Sequence, residues 1–460
     1  MFGRKNAPLD MCNGPVISQM LRFAVPLILS NTAQRLYNTA DLVVVGRFSG
    51  SMALAAVGST ASLLGLLISA FISLSVGANV VIARAIGAGD TRRTATATHT
   101  AMLLSAVCGL LLGVFMLILS EQMLIWTAAP PEVLADAALY MRILATGFPA
   151  SLIYNFGAAV LRSAGDTRRP LYFLLLSGLV NVLLNLFFAA VCGMGVAGVA
   201  IATVVSQYIS AALVVLSLCH REDNCRLFLR RLAIHQQDLK DILIVGIPSA
   251  LQSACFDIAN VLIQSSINSF GALTVAGNTA AGNIDTFIYG SIHAISQTVL
   301  TFAGQNMGAR QYSRIPKILR AGLLLDVLVG GGIGLVCLFF RVPLLSLFAK
   351  EDMTVIAYGI TRLFILCPTY WVCGWLDAYS GTLRAMGNNT LPTVISVFGV
   401  CGIRILIVMT VFRRFHMLEV LYGSYPVSWI ITTAVLFVAY HVYYRRMLSR
   451  QAEALREPVT

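Results

Sequence analysis

The chain has 460 residues, 58% of them hydrophobic and only 11% charged, with a formal net charge of +12. Charged residues are less than half of the roughly 25% usual in soluble domains, which excludes an ordinary water-soluble globular protein.

Taken from the N-terminus, Met1–Pro15 is polar, and the apolar run behind it is too long for a cleavable signal core. That first run is expected to act as the insertion signal. Apolar stretches able to cross a bilayer follow near 22–46, 55–83, 95–119, 134–160, 170–192 and 195–219. A second set lies near 240–268, 276–303, 317–340, 355–382, 391–412 and 419–444, which makes about twelve spans. Roughly 23 Lys and Arg fall in the tails and in loops after even-numbered spans, against about seven on the other side. This bias puts both termini in the cytoplasm and explains the net charge without a nucleic-acid partner. The ten cysteines show no close metal-type pairs and are expected to be free thiols.

Residues 22–218 are written a second time at 245–440. Each copy places an L-R-x-x-G corner, Leu161, Arg162, Gly165 and Pro170 against Leu383, Arg384, Gly387 and Pro392, each pair 222 residues apart. The same interval carries Pro26 to Pro248 and Asn38 to Asn260, while Gly87-Ala88 answers Gly308-Ala309 at 221. Six spans per copy is an even number, so both copies enter the membrane with the same polarity. The expected fold is all-α: two parallel six-helix lobes related by a pseudo-twofold axis along the membrane normal, with the binding site between them. The expected boundaries are 1–218, a cytoplasmic linker at 219–241 read as a surface helix around Leu227-Phe228-Leu229, and 242–460. Pro26 and Pro248 are candidate bends or hinges.

A polar group at mid-bilayer costs about 2.5–3.5 kcal/mol, so it should face a cavity, a partner or another helix. On the first span Asn31, Gln34, Arg35, Asn38 and Asp41 share an arc of roughly 120°. The seventh carries Ser253, Asp257, Asn260, Gln264 and Asn268, and the eighth Asn278, Asp285, Tyr289, His293 and Gln297. Such stripes suit an aqueous cavity, or hydrogen bonds between neighbouring helices. Asp41, Asp257, Asp285 and Asp377 are the acids of interest, since burial favours the protonated form of a carboxylate. Arg35 and Asp257, repeat mates of opposite charge, could pair. Arg404 is expected to neutralise one acid, Asp326 to serve packing or the lipid edge, and His99 to be interfacial.

Gly193–Gly198 matches G-x-G-x-x-G, but apolar helices flank it and no βαβ unit surrounds it, so a nucleotide site is not expected. Gly330–Gly334 reads as a flexible or tightly packed part of the ninth span. With no P-loop, no Ser/His/Asp order and no His-Glu-x-x-His, no enzyme activity is expected. Asn388-Asn389-Thr390 has sequon form but falls in a cytoplasmic corner.

Several segments together resemble the multidrug and toxic-compound extrusion (MATE) family across about residues 20–445. They are Pro26 with Tyr37–Arg47 (Y-N-T-A-D-L-V-V-V-G-R), Val76–Asp90, Leu161–Asp166, Gly193–Thr203, Gly304–Ala309 and Leu383–Asn388. The resemblance implies a plasma- or inner-membrane antiporter that exchanges protons or sodium ions for organic, often cationic, compounds. In the proton-linked branch, the first-span acid matches Asp41, but the fifth-span acid is replaced by Asn185, with Asn181 one turn earlier. In the sodium-linked branch, Asp257 and Asp377 look like the ion ligands, helped by Asn260, Asn278 or Tyr289. Asp285 is kept as a further coupling candidate. The drug wall is expected from Asn31, Gln34, Tyr37, Asn38, Phe256, Gln264, Tyr289, His293, Trp371, Trp375 and Tyr379, through apolar burial and cation–π contact. No cofactor besides the coupling ion is implied, the partners are the lipid bilayer and the transported cation, and a monomer is expected. A flippase for lipid-linked oligosaccharides, a non-drug metabolite exporter, a major-facilitator transporter and a non-transporting receptor or channel remain the rival readings.

Overall fold

A computed structural model describes residues 9–127, 130–349 and 352–454, so residues 1–8 of the polar N-terminal stretch lie outside it. Among the described residues there are helices and turns and no strand. The spans are α1 (Val16–Val44), α2 (Gly50–Gly87), α3 (Thr91–Trp126), α4 (Pro131–Ala145 and Phe148–Ser163), α5 (Arg168–Leu186) and α6 (Gly195–Cys219). The second copy gives α7 (Gln236–Asn268), α8 (Ala272–Gly308), α9 (Ile315–Leu325, a π-helical turn Asp326–Gly331, then Gly332–Phe339), α10 (Met353–Leu366, a 3-10 turn Cys367–Thr369, then Tyr370–Ala385), α11 (Thr390–Phe415) and α12 (Leu418–Ala454).

Ten of these are long and apolar enough to cross a bilayer, and α4 makes an eleventh as a pair bent by 47°. The bend falls where Gly147 precedes Phe148-Pro149, and proline cannot donate to the preceding turn. The remaining expected span, 276–303, lies in α8, which at 37 residues is ample in length. Its row of Asn278, Asp285, His293 and Gln297 interrupts the continuous apolar stretch that the other spans carry. Outward faces carry Leu, Ile, Val and Phe, as on Val191, Phe339 and Phe398, each more than 70% exposed. A surface of that kind belongs in lipid. Helix starts follow ordinary capping: Asp90 accepts from Arg93 N at 2.8 Å, and Asp352 from Thr354 N at 2.9 Å.

Packing divides the chain elsewhere than at the linker. One unit is Met1–Ala254 with Thr301–Ile315, and the other is Cys255–Leu300 with Pro316–Thr460. The first unit therefore takes the beginning of α7 and the end of α8, and close helix crossings inside it explain why. A Cβ on Gly77 would strike the backbone of Ile242, and one on Gly246 the backbone of Leu74, so α2 and α7 are in backbone contact. A Cβ on Gly87 would strike Gln305, and one on Gly308 would strike Arg84. These two glycines are the repeat mates found in the sequence, and each meets the helix of the other, the reciprocity that a twofold axis imposes.

Just past the same crossing, Gly89 has φ +68°, while its mate Arg310 holds φ 56°. A left-handed conformation costs an ordinary L-residue about 1–2 kcal/mol, which glycine does not incur. Arg310→Gly is accordingly expected to raise stability by about 1 kcal/mol after allowance for glycine's freedom in the unfolded chain. Thermal melting of the detergent-solubilised protein measures this, and a lowered midpoint would contradict it.

The linker corrects the expectation of a surface helix. Residues 236–241 already belong to α7, and residues 220–235 are irregular apart from a 3-10 turn at Leu229–Arg231, because backbone donors there are taken elsewhere. Leu227 N donates to Leu218 O at 3.1 Å, Phe228 N to His99 Nε2 at 3.1 Å, and His235 N to Thr100 Oγ1 at 3.1 Å. His99, expected at an interface with lipid, is instead buried against the linker. Leu227 is buried too, whereas Phe228 and Leu229 are exposed.

Arg221 clasps Asp223 through Nε at 2.8 Å and through Nη2. Burial pushes the Asp223 carboxyl up, but the hydrogen bonds and charge of Arg221, helped by Cys225 N, outweigh it and leave it below its ordinary value of 3.8. A depressed carboxyl stabilises the folded linker above that ordinary value and stops doing so as pH falls through the lowered one. Hydrogen exchange of amides 223–228 is expected to stay slow from neutral pH down to about 4 and to quicken only below. Quickening already at pH 6 would contradict the assignment.

Candidate functional site

In the first unit α1 and α5 approach closely where Gly178 faces Tyr37, since a Cβ there would enter the phenol ring. Tyr37 OH donates to Leu175 O at 3.3 Å. Further along the same contact, Asp41 of α1 accepts from Asn185 Nδ2 of α5. The same amide donates to Asn181 Oδ1 at 3.3 Å, and Asn181 Nδ2 to Thr203 Oγ1 of α6 at 3.4 Å. The Thr203 hydroxyl also lies beside the Asp41 carboxylate, and Tyr140 of α4 is close enough to feel its charge. Asn185 is wholly buried, and its Oδ1 has no partner. Asp41 thus sits half-buried in a cluster of neutral donors, and among the described residues its hydrogen-bond partners are Asn185 and Thr203, neither of them basic. Along the rest of α1, Asn31 is half-buried, while Gln34 and Asn38 are exposed.

The second unit treats its acids differently. Asp285 of α8 is buried and accepts from Arg362 Nε of α10 at 2.7 Å. Arg362 Nη1 donates to Asn278 Oδ1 at 2.6 Å, Asn278 Nδ2 to Gln264 Oε1 at 2.9 Å, and Gln264 Nε2 to Asn268 Oδ1 at 2.9 Å. This chain ties α10 through α8 to α7 and occupies Asp285 in an ion pair. The expectation that Arg404 neutralises an acid is corrected. It donates to Asn260 Oδ1 at 3.0 Å and Ser428 Oγ at 3.2 Å, and its guanidinium lies 4.0 Å from the Tyr425 ring centre.

Asp377 of α10 is half-buried, and Asp326 of α9, fully buried, is a charged neighbour. Asp257 and Phe256 are half-buried on α7. Among the described residues no three His, Cys, Asp or Glu side chains converge as a metal cluster would. Of the aromatic candidates, Tyr289 and His293 are exposed and stacked at 6.1 Å, and Trp371 meets Trp375 edge-on at 4.8 Å. The indole N–H groups are engaged, Trp371 with Pro368 O at 2.8 Å and Trp375 with Leu323 O at 3.0 Å. Tyr379 is buried between Phe437 and Tyr440 of α12, where it packs the helix pair.

Sequence reasoning missed Arg362, Asp326, Thr203 and Tyr140 as site neighbours. The first two did carry a signal, each being a lone charge inside an apolar run, which lipid would not tolerate. Thr203 and Tyr140 carried none, since both residue types are common in spans.

A family model described as MatE matches residues 26–187 and 248–410, blocks that begin 222 residues apart as the two copies do. This chain belongs to the MatE family of multidrug efflux transporters. The transporter is 28% identical over 437 residues to a probable multidrug resistance protein of Bacillus subtilis, YoeA, covering 93% of this chain and 94% of that one. It is 24% identical to a probable multidrug resistance protein NorM of Thermotoga maritima, covering 87% and 86%, and 24% identical to an FAD transporter of Shewanella oneidensis, covering 84% and 86%. Its fold matches a crystal structure of MATE in complex with MaL6 at a TM-score of 0.90 and 22% identity, covering 97% of this chain and 100% of that one. It also matches a transporter from Pyrococcus furiosus at 0.89 and 22% identity, covering 96% and 99%. It is a multi-pass membrane protein of a transporter family, with an all-helical fold.

Proposed function

We propose that the protein is a secondary antiporter that exports organic cations in exchange for protons or sodium ions by alternating access. The observation that carries this reading is Asp41, an acid inside a spanning helix whose partners, Asn185 and Thr203, are neutral. A carboxylate left uncancelled can be satisfied by an organic cation or by a coupling ion, but not by both at once, and that exclusion is what couples the two fluxes. Asp285 lacks this property, because Arg362 already holds it. The amide of Asn185 can serve either state of Asp41, donating through Nδ2 to a carboxylate or, turned over, accepting through Oδ1 from a carboxylic acid. Asp257 and Asp377 are the corresponding candidates in the second unit, with Asn260 beside Arg404 and the exposed Tyr289 and His293 as wall residues.

One proton exchanged for one monovalent cation moves no net charge, so only the proton gradient drives it, about 1.4 kcal/mol per pH unit. A second inward ion adds the membrane potential, about 2.3 kcal/mol per 100 mV. Both termini lie in the cytoplasm on this reading, as the basic loops require.

The test is accumulation of a fluorescent monovalent organic cation by cells with and without the transporter. Lower accumulation in cells that make the protein is expected, and equal accumulation would count against cationic cargo. Since one relative is named an FAD transporter, the same comparison is made with a flavin nucleotide. Export of the flavin alone would move the substrate class from organic cations to anionic metabolites.

A further inference from the structure

Asp326 is the most isolated acid among the described residues. It opens the π-helical turn of α9, none of its surface is exposed, and neither carboxylate oxygen has a hydrogen-bond partner. Its carboxyl group fills the place where a Cβ on Gly374 of α10 would stand. It therefore points at the face of α10 that bears Asp377 one turn further on. Asp377 is the charged group acting on it, and the Cys373 thiol lies near both acids. Arg384 acts on Asp377 from the following turns, and Arg404 of α11 acts on Cys373. Among the described residues no basic group acts on Asp326. π-helical turns of this kind recur at functional sites, where they widen a helix around one side chain.

A lone carboxylate cannot remain ionised in such a place without donors, and two carboxylates facing each other cannot both be ionised cheaply. We infer that Asp326 and Asp377 form a two-carboxylate proton site in the second unit, which holds one proton at rest and takes a second in the transport cycle. At rest the proton stays on Asp326, because that side chain is sealed from water, and Asp377 is the half-buried member that exchanges. The second proton binds an Asp377 oxygen from water on one side and leaves to water on the other; no bond besides O–H forms or breaks. The pair titrates as a unit. This inference rests on the antiport reading above and adds Asp326 to its machinery.

The test has two arms. Infrared spectra of the purified wild-type protein at neutral pH should show a protonated-carboxyl C=O band that shifts in heavy water and is lost in Asp326→Asn. In proteoliposomes, Asp377→Asn removes the member that exchanges, so cation export should lose its dependence on an imposed pH gradient while the Asp326 band remains. A wild-type spectrum that Asp326→Asn leaves unchanged overturns the assignment. So does an Asp377→Asn variant whose export keeps the wild-type dependence on the pH gradient. If the wild-type protein exports nothing under any gradient, the antiport reading falls, and the infrared arm still decides whether the pair holds a proton.

Discussion

Replacing Arg362 by leucine is expected to destabilise the protein by about 3–5 kcal/mol, because it leaves a buried carboxylate without its counter-charge. The Arg362 side chain is 14% exposed and that of Asp285 only 5%, so water offers little compensation. The loss also strands Asn278, which accepts from the same guanidinium, and Gln264 behind it. Removing both charges should recover most of the loss: Asp285→Asn combined with Arg362→Leu is expected to melt closer to wild type than Arg362→Leu alone. Recovery of that kind is the signature of a structural ion pair, since replacing a whole buried pair is often close to neutral. The measurement is the thermal midpoint of the detergent-solubilised protein for the wild type, the single variants and the double variant. A single Arg362→Leu variant that melts with the wild type would remove Asp285 from the structural category and return it to the coupling candidates.

Asp41→Asn should do the opposite, leaving the fold nearly intact while export falls by about tenfold or more, the effect of losing about 1.4 kcal/mol of ion-dependent interaction. The substitution keeps the shape of the side chain, and Asn185 can turn its amide to present whichever atom the new amide needs. Stability should change by no more than about 1 kcal/mol, the worth of one hydrogen bond. Asn185→Leu should be intermediate, since it removes the positioning donor and leaves the acid. Export rate and melting midpoint, measured on the same preparations, separate the two roles. Full export by Asp41→Asn would eliminate the first unit's acid from the coupling mechanism.

The architecture was legible in the sequence wherever the backbone has special needs. Gly165 and Gly387 close their corners at φ +84° and +104°, and Gly87 and Gly308 permit backbone contact. Such positions constrain both copies alike, which is why intervals of 222 and 221 residues align them. Asp41, Asn181 and Asn185 were each visible as polar residues in apolar runs, but their meeting depends on the approach of α1 to α5 at Gly178, which is a tertiary event. Asp326 was passed over because hydropathy cannot distinguish a lipid-facing position from an inward one when the helix is apolar all round. Arg362 escaped for a related reason, as its partner Asp285 lies 77 residues away. The linker misled because an apolar patch among basic residues suggests a surface helix, whereas its donors are claimed by His99, Thr100 and Leu218.

The most direct measurement loads proteoliposomes containing the purified protein with a fluorescent organic cation and follows its release while a proton or a sodium gradient is imposed from outside. Release that accelerates under one of these gradients, stops when an ionophore collapses it, and is lost with Asp41→Asn is the predicted result. Release at the same rate with and without either gradient would contradict cation-coupled antiport.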